Sequence, residues 1–250
     1  MLLFLYLQGI LQICFAFYIN LNFHCKIKFM KTFFKTVFVL FALFVAACSS
    51  VKQNSETVFC SEENCADSSH IKSSVLFAIA MPDESKYIEK EYGLKKLSKN
   101  ISSNGKISCI TTGVGKNCVN SSLKNTALHG NVLVINVGYC GSNVISKGEM
   151  CKVNKVAKIE TPNAISKISD FGGVPCFSSD KFVEETDIKE PCVFDMELFY
   201  FHKKFPNLIS YKIVSDNLSH SEYEGFKNFN ANDSWKRFFK TIAPALQNKN

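Results

Sequence analysis

Two acidic signatures in one short stretch carry the strongest chemical signal of the chain. Residues 191–216 read PCVFDMELFYFHKKFPNLISYKIVSD, with Phe194-Asp195-Met196-Glu197 near the start and Ser215-Asp216-Asn217 at the end. Leu198, Phe199, Phe201 and His202 predict a short helix that Phe205-Pro206-Asn207 closes, because proline disfavours helical geometry at the residue before it. Residues 208–214 predict a buried strand. One carboxylate entering a helix and another leaving the next strand lie near the same end of an open α/β sheet, where such sheets place their ligands. Groups so placed can hold or transfer a proton.

The elements that must position them recur upstream. Apolar runs at residues 75–80, 107–112, 132–137, 174–177 and 208–214 alternate with segments of helical character, which predicts βα units and a largely parallel sheet. Each run ends in a small or acidic cluster: MPDE at 81–84, GVGK at 113–116, GYCG at 138–141, SSDKF at 178–182 and SDN at 215–217. Strands that each end in such a turn gather the turns at one sheet edge. GVGKNC lacks both the third glycine of a dinucleotide fingerprint and the Walker A spacing, so neither nucleotide cofactor is expected. Each acidic residue also has an ordinary explanation. Glu84 suits the first turn of a helix, and Asp216-Asn217 suits a strand-ending turn.

The chain has 250 residues, 46% of them apolar, enough for one substantial core. Residues 1–47 hold no acid and four lysines; without them, 25 basic residues face 22 acidic ones, too even a balance to predict a nucleic-acid partner. From Met30 onward, Lys31 and Lys35, an apolar core at 37–45 and Ala46-Ala47-Cys48 have the form of a secretory signal. The run 45–50, VAACSS, resembles the lipobox of bacterial lipoproteins, which implies lipid modification of Cys48 and a place in the bacterial cell envelope. An ordinary membrane anchor is the alternative, and residues 2–19 are long enough to count as a span. Residues 48–73 read as a polar linker and 74–250 as the folded domain.

Of the eleven cysteines, Cys60 and Cys65 sit in the polar stretch, where a local bridge is possible. Cys109, Cys118, Cys140, Cys151, Cys176 and Cys192 sit in or beside apolar runs and are expected as small buried residues. No CxxC pair and no HExxH spacing occurs, so no metal is expected.

In order, Ala80-Met81-Pro82-Asp83-Glu84, Thr112-Gly113-Val114-Gly115-Lys116, Asn136-Val137-Gly138-Tyr139-Cys140-Gly141, Ser179-Asp180-Lys181-Phe182, Asp195-Met196-Glu197 and Ser215-Asp216 resemble the nucleoside phosphorylase superfamily, most of all its 5'-methylthioadenosine/S-adenosylhomocysteine nucleosidases. The resemblance covers residues 74–230. It implies a three-layer α/β fold with a mixed, barrel-like central sheet, shortened here before Gly113 and before Ser178, a purine nucleoside substrate, no cofactor and a homodimer.

Carried over residue by residue, the resemblance makes Glu84 the group that activates water and Asp216 the acid that protonates the leaving base. Glu197 would hold the ribose hydroxyls, Met196 would pack on the ribose, and Phe182 with Val183 would line the base. Gly113 and Gly138 belong to the turns around the substrate, and Tyr223 or Phe226 would close over it. Tyr139 replaces a small residue and is expected to narrow the pocket. Breaking an N-ribosidic bond builds positive charge on the sugar, which nearby anions stabilise. Arg237 is the only arginine, and phosphate clamps favour arginine, so water is the expected nucleophile and phosphorolysis the alternative. A binding or adhesin lipoprotein that keeps the fold without turnover is the other alternative.

Overall fold

The computed structural model describes residues 73–170, 172–229 and 231–247. The targeting region, Cys48 and almost all of the linker lie outside these residues.

Among the described residues, ten strands and five helices follow one another. β1 (Val75–Ile79) leads through α1 (Pro82–Tyr92) to the edge strands β2 (Lys95–Lys96) and β3 (Ile101–Ser103), then β4 (Ile107–Thr111), α2 (Gly115–Leu123) and β5 (Leu133–Ser142). β6 (Met150–Lys158), β7 (Ser166–Lys167), β8 (Val174–Ser178) and β9 (Val193–Asp195) follow, then α3 (Leu198–Lys204), β10 (Ile209–Asp216), α4 (His220–Phe229) and α5 (Ala231–Gln247).

All five residues of β1 are buried, the pattern of a strand covered on both faces. β1 pairs in parallel with β4 and β5, and β10 pairs in parallel with β5. β6 runs antiparallel to β10 and parallel to β8; β8 runs parallel to β9, and β9 returns antiparallel to β5. Strands β5, β10, β6, β8 and β9 therefore close a ring, from which β1, β4, β3 and β2 extend as an arm. The sheet is mixed rather than largely parallel, because β6, absent from the expected runs, enters antiparallel to β10; its mostly half-exposed residues offered no continuous apolar signal.

Two cores flank the sheet. On one side Val119 and Leu123 of α2 and Leu198, Tyr200 and Phe201 of α3 pack with Leu76, Ile110 and Val134. On the other, Ile88 of α1, Phe226 of α4, and Trp235, Phe238 and Ile242 of α5 pack with Phe77, Ile79 and Ile135. In α5 the spacing of Ala231, Trp235, Phe238 and Ile242 makes one apolar stripe, which fixes the face it buries. α5 runs past Pro244 to Gln247.

Two further expectations are corrected. GYCG is no turn: Gly138 and Gly141 lie inside β5, which runs on to Ser142 because it must pair with β10, β1 and β9 in turn. Cys118 is disulfide-bonded rather than free. The other described cysteines are free.

Candidate active site

Glu84 enters from the first turn of α1. Pro82 starts this helix with its fixed backbone angle, and Gly93 ends it at φ 62°. The Glu84 carboxylate accepts the Met81 N–H at 3.0 Å, as a helix-capping acid does, and also the Tyr139 N–H of β5 at 2.7 Å. The second bond ties the helix start to a strand far away in sequence. A Cβ on Gly138 would stand 3.0 Å from the carboxylate, so glycine is what lets Glu84 lie against β5. Glu84 is 2% exposed, and burial pushes its pKa up to about 7, although the Tyr139 and Met81 N–H groups and the Lys212 charge hold it down.

Glu197 follows β9 and starts α3. Its Oε1 accepts the Gly115 N–H at 2.7 Å, at the start of α2. Gly113 and Gly115 both take positive φ, 89° and 84°, so the turn between β4 and α2 presents its backbone to the carboxylate in a conformation that side-chain-bearing residues rarely adopt. A Cβ on Gly115 would stand 3.9 Å from Met196 Cε, so Met196 lies at the same turn. Burial, with Asp195 adding to it, pushes the Glu197 pKa up to about 8.

Asp216 ends β10 just after a register shift against β5. Its Oδ1 accepts the N–H groups of Leu218 at 3.0 Å and Ser219 at 3.3 Å, and its Oδ2 accepts the Ser215 hydroxyl at 2.7 Å. The turn carries Leu218 at φ 63°, the only positive φ of a non-glycine among the described residues. A Cβ on Gly141 would lie 2.9 Å from Oδ1, too close for any real side chain. Burial raises the pKa of Asp216 despite these donors, so the carboxyl keeps its proton to higher pH than an exposed aspartate.

β5 thus passes two carboxyl groups, Gly138 against Glu84 and Gly141 against Asp216, about 10 Å apart along the strand and, at a separation of three residues, on alternate faces of it. Aromatic rings stand nearby. Phe182 meets His220 edge-on at 5.3 Å and Tyr223 at 6.1 Å, and the Tyr223 hydroxyl donates to Met81 Sδ at 3.1 Å. Tyr223, not Phe226, stands over Met81 and Phe182. Phe226 is buried edge-on against Tyr139, in the cluster around Trp235. The Tyr139 ring turns the same way and its hydroxyl accepts the Trp235 indole N–H, while its backbone N–H holds Glu84, so it does not narrow the pocket as expected. Val183 packs partly buried near Phe177 and Phe194. An open groove of about 460 Å³ near Gly148, Phe226 and Arg237 is lined by none of the three carboxylates.

Two residues that sequence reasoning passed over sit at the centre. Asp195 and Lys212 form an ion pair at 2.7 Å, with side chains 1% and 2% exposed. The signal was present: a lysine inside an otherwise apolar strand run must be paired to be buried.

No known family model matches the chain, and no curated protein does. Solved structures do match. An MTAN from Chlamydia trachomatis bound to MTA superposes with TM-score 0.62 at 16% identity, over 71% of this chain and all of that one. The chain has the nucleoside phosphorylase-like fold. A futalosine hydrolase of Helicobacter pylori matches with TM-score 0.56 at 16% identity, over 70% of this chain and 99% of that one. An MTAN mutant of H. pylori, solved with 5'-methylthioadenosine in its active site, matches with TM-score 0.55 at 15% identity, over 69% and 99%. At these identities the likeness carries the nucleoside phosphorylase-like fold alone.

Proposed function

We propose that the protein hydrolyses the N-ribosidic bond of an adenine nucleoside of the methylthioadenosine or adenosylhomocysteine type and releases adenine. The observation that carries this reading is the placement of Glu84 and Asp216 against one strand of the nucleoside phosphorylase-like fold, with Glu197 near enough to Glu84 for the two charges to act on each other. Neighbours of that fold are nucleosidases and a futalosine hydrolase.

Each carboxylate has its own task. Asp216, its pKa raised by burial, gives a proton to N7 of adenine and makes the base a better leaving group. As the bond lengthens, positive charge grows on the ribose, and Glu197 holds the sugar hydroxyls beside it. Glu84 takes a proton from the attacking water; a base with a pKa of about 7 is matched to that work near neutral pH. Met196 packs on the ribose, Phe182 and Val183 line the base, and Tyr223 closes over the substrate. Gly113 and Gly138 shape the backbone that these groups rest on.

Water rather than phosphate is the nucleophile. The only arginine, Arg237, lies on α5, where it donates to the Gly148 carbonyl and faces Glu149 at 3.6 Å, away from the carboxylates. The protein acts as a homodimer held to the bacterial envelope by a lipid on Cys48. The disulfide of Cys118 supports an oxidising compartment. Incubation with methylthioadenosine and adenosylhomocysteine, with and without phosphate, tests the reaction. The free sugar is expected at an unchanged rate in both arms; sugar 1-phosphate would make it a phosphorylase, and binding without turnover a receptor.

A further inference from the structure

We propose that the buried Lys212–Asp195 pair is a positioning device, which sets where Glu197 stands and how much negative charge the site holds. The inference rests on the nucleosidase reading only for its consequence in turnover.

Asp195 is fully engaged. Its Oδ2 accepts the Lys212 ammonium at 2.7 Å and the Leu198 N–H at 2.9 Å, and its Oδ1 accepts the Ser178 hydroxyl at 2.5 Å. Ser178 Oγ in turn accepts the Phe199 N–H at 3.0 Å. Asp195 and Ser178 therefore hold the first two N–H groups of α3, and Glu197 is the residue that α3 starts from. Tilting that helix start would pull Glu197 from the Gly115 N–H. A buried aspartate keeps this position only with a counter-charge, which Lys212 supplies.

Lys212 faces Asp195 on β9, Cys176 on β8, Cys140 on β5, Glu197 before α3 and Glu84 on α1. Burial alone would lower the lysine pKa, but Asp195, Cys176 and Glu197 outweigh it and the ammonium stays charged. Glu84 also faces Tyr139, Tyr223 and Cys109, none of which carries positive charge. One cation thus stands against three buried carboxylates, and two of these are pushed towards keeping their protons.

Carboxyl ¹³C titration of Glu84 and Glu197 in the full chain reads this directly. In Lys212→Met both midpoints are expected to move up by about one pH unit or more, and in Asp195→Asn both are expected to move down. Lys212→Arg keeps the charge and should leave them in place. Opposite shifts separate this role from one of packing alone, which would lower stability without ordered changes in titration. Where turnover is present, the rising limb of the pH–rate profile follows the Glu84 midpoint. If Lys212→Met does not fold, Asp195→Asn and Lys212→Arg decide. Unmoved midpoints, or shifts of one sign in both variants, overturn the proposal. Wild-type protein that releases no adenine counts against the nucleosidase reading and leaves the titration result standing.

Discussion

Two regions beside β5 solve opposite problems. In one, Gly138 and Gly141 give up side chains so that the carboxyl groups of Glu84 and Asp216 can press against the backbone. In the other, Tyr139 turns its ring into Phe226 and Trp235, and Trp235 stacks on Tyr87 at 4.8 Å. The aromatic region is stabilised by removing apolar area from water, while the carboxylate region gives up stability to keep acids buried. Stability and chemistry thus fall to neighbouring regions beside one strand, and substitutions in the two should report different quantities.

The largest effect is expected on turnover from the carboxylate region. Asp216→Asn and Glu197→Gln should each lower adenine release by roughly 10²–10⁴-fold with the far-UV spectrum unchanged. Loss of both activity and fold would erase the contrast between the regions. In the aromatic region, Trp235→Ala should cost about 3–5 kcal/mol in denaturant unfolding, because the ring is 1% exposed and surrounded by aromatic side chains. Residual turnover in that variant should keep the wild-type pH profile.

The pH dependence of stability sharpens the comparison. The pKa values of Glu84 and Glu197 in the folded chain, about 7 and about 8, lie above the ordinary 4.5. Between those values the folded state binds protons that the unfolded chain releases. Their contribution is therefore fully present below pH 4.5 and lost as pH rises through 7 to 8, by on the order of 3–5 kcal/mol for each group. Denaturant unfolding at pH 5 and pH 8 should show this loss, and Glu84→Gln should lessen it. A loss equal in wild type and variant would mean that Glu84 is not the titrating group. A smaller change is expected from Tyr223→Phe, which removes the hydroxyl on Met81 Sδ and keeps the ring over Phe182. It should alter KM by a few-fold and leave unfolding within about 0.5 kcal/mol.

Much of this was legible in the sequence where local chemistry decides the outcome. Val75, Leu76 and Phe77 form a continuous apolar run that only a doubly covered strand satisfies, and Pro206 closes α3 where expected. Glu84, Glu197 and Asp216 stood out through their ordered resemblance, and the structure brings Glu84 and Asp216 against one strand. What was not legible depends on partners distant in the chain. β6 carries Lys152, Asn154 and Lys155 and reads as polar, yet it closes the ring because β10 and β8 lie on either side. GYCG looked like a turn because glycines usually mark turns; here they mark a close approach of carboxylates. Lys212 gave its signal as a charge in an apolar strand, but only the fold names Asp195 as its partner.

Adenine release from methylthioadenosine by the wild-type protein and by Asp216→Asn, followed side by side at pH 7, tests the reading most directly. Steady release by wild type, independent of phosphate and at least 100-fold slower in the folded Asp216→Asn variant, is the predicted result. Equal rates in the two proteins, or no release from any purine nucleoside by wild type, would contradict it.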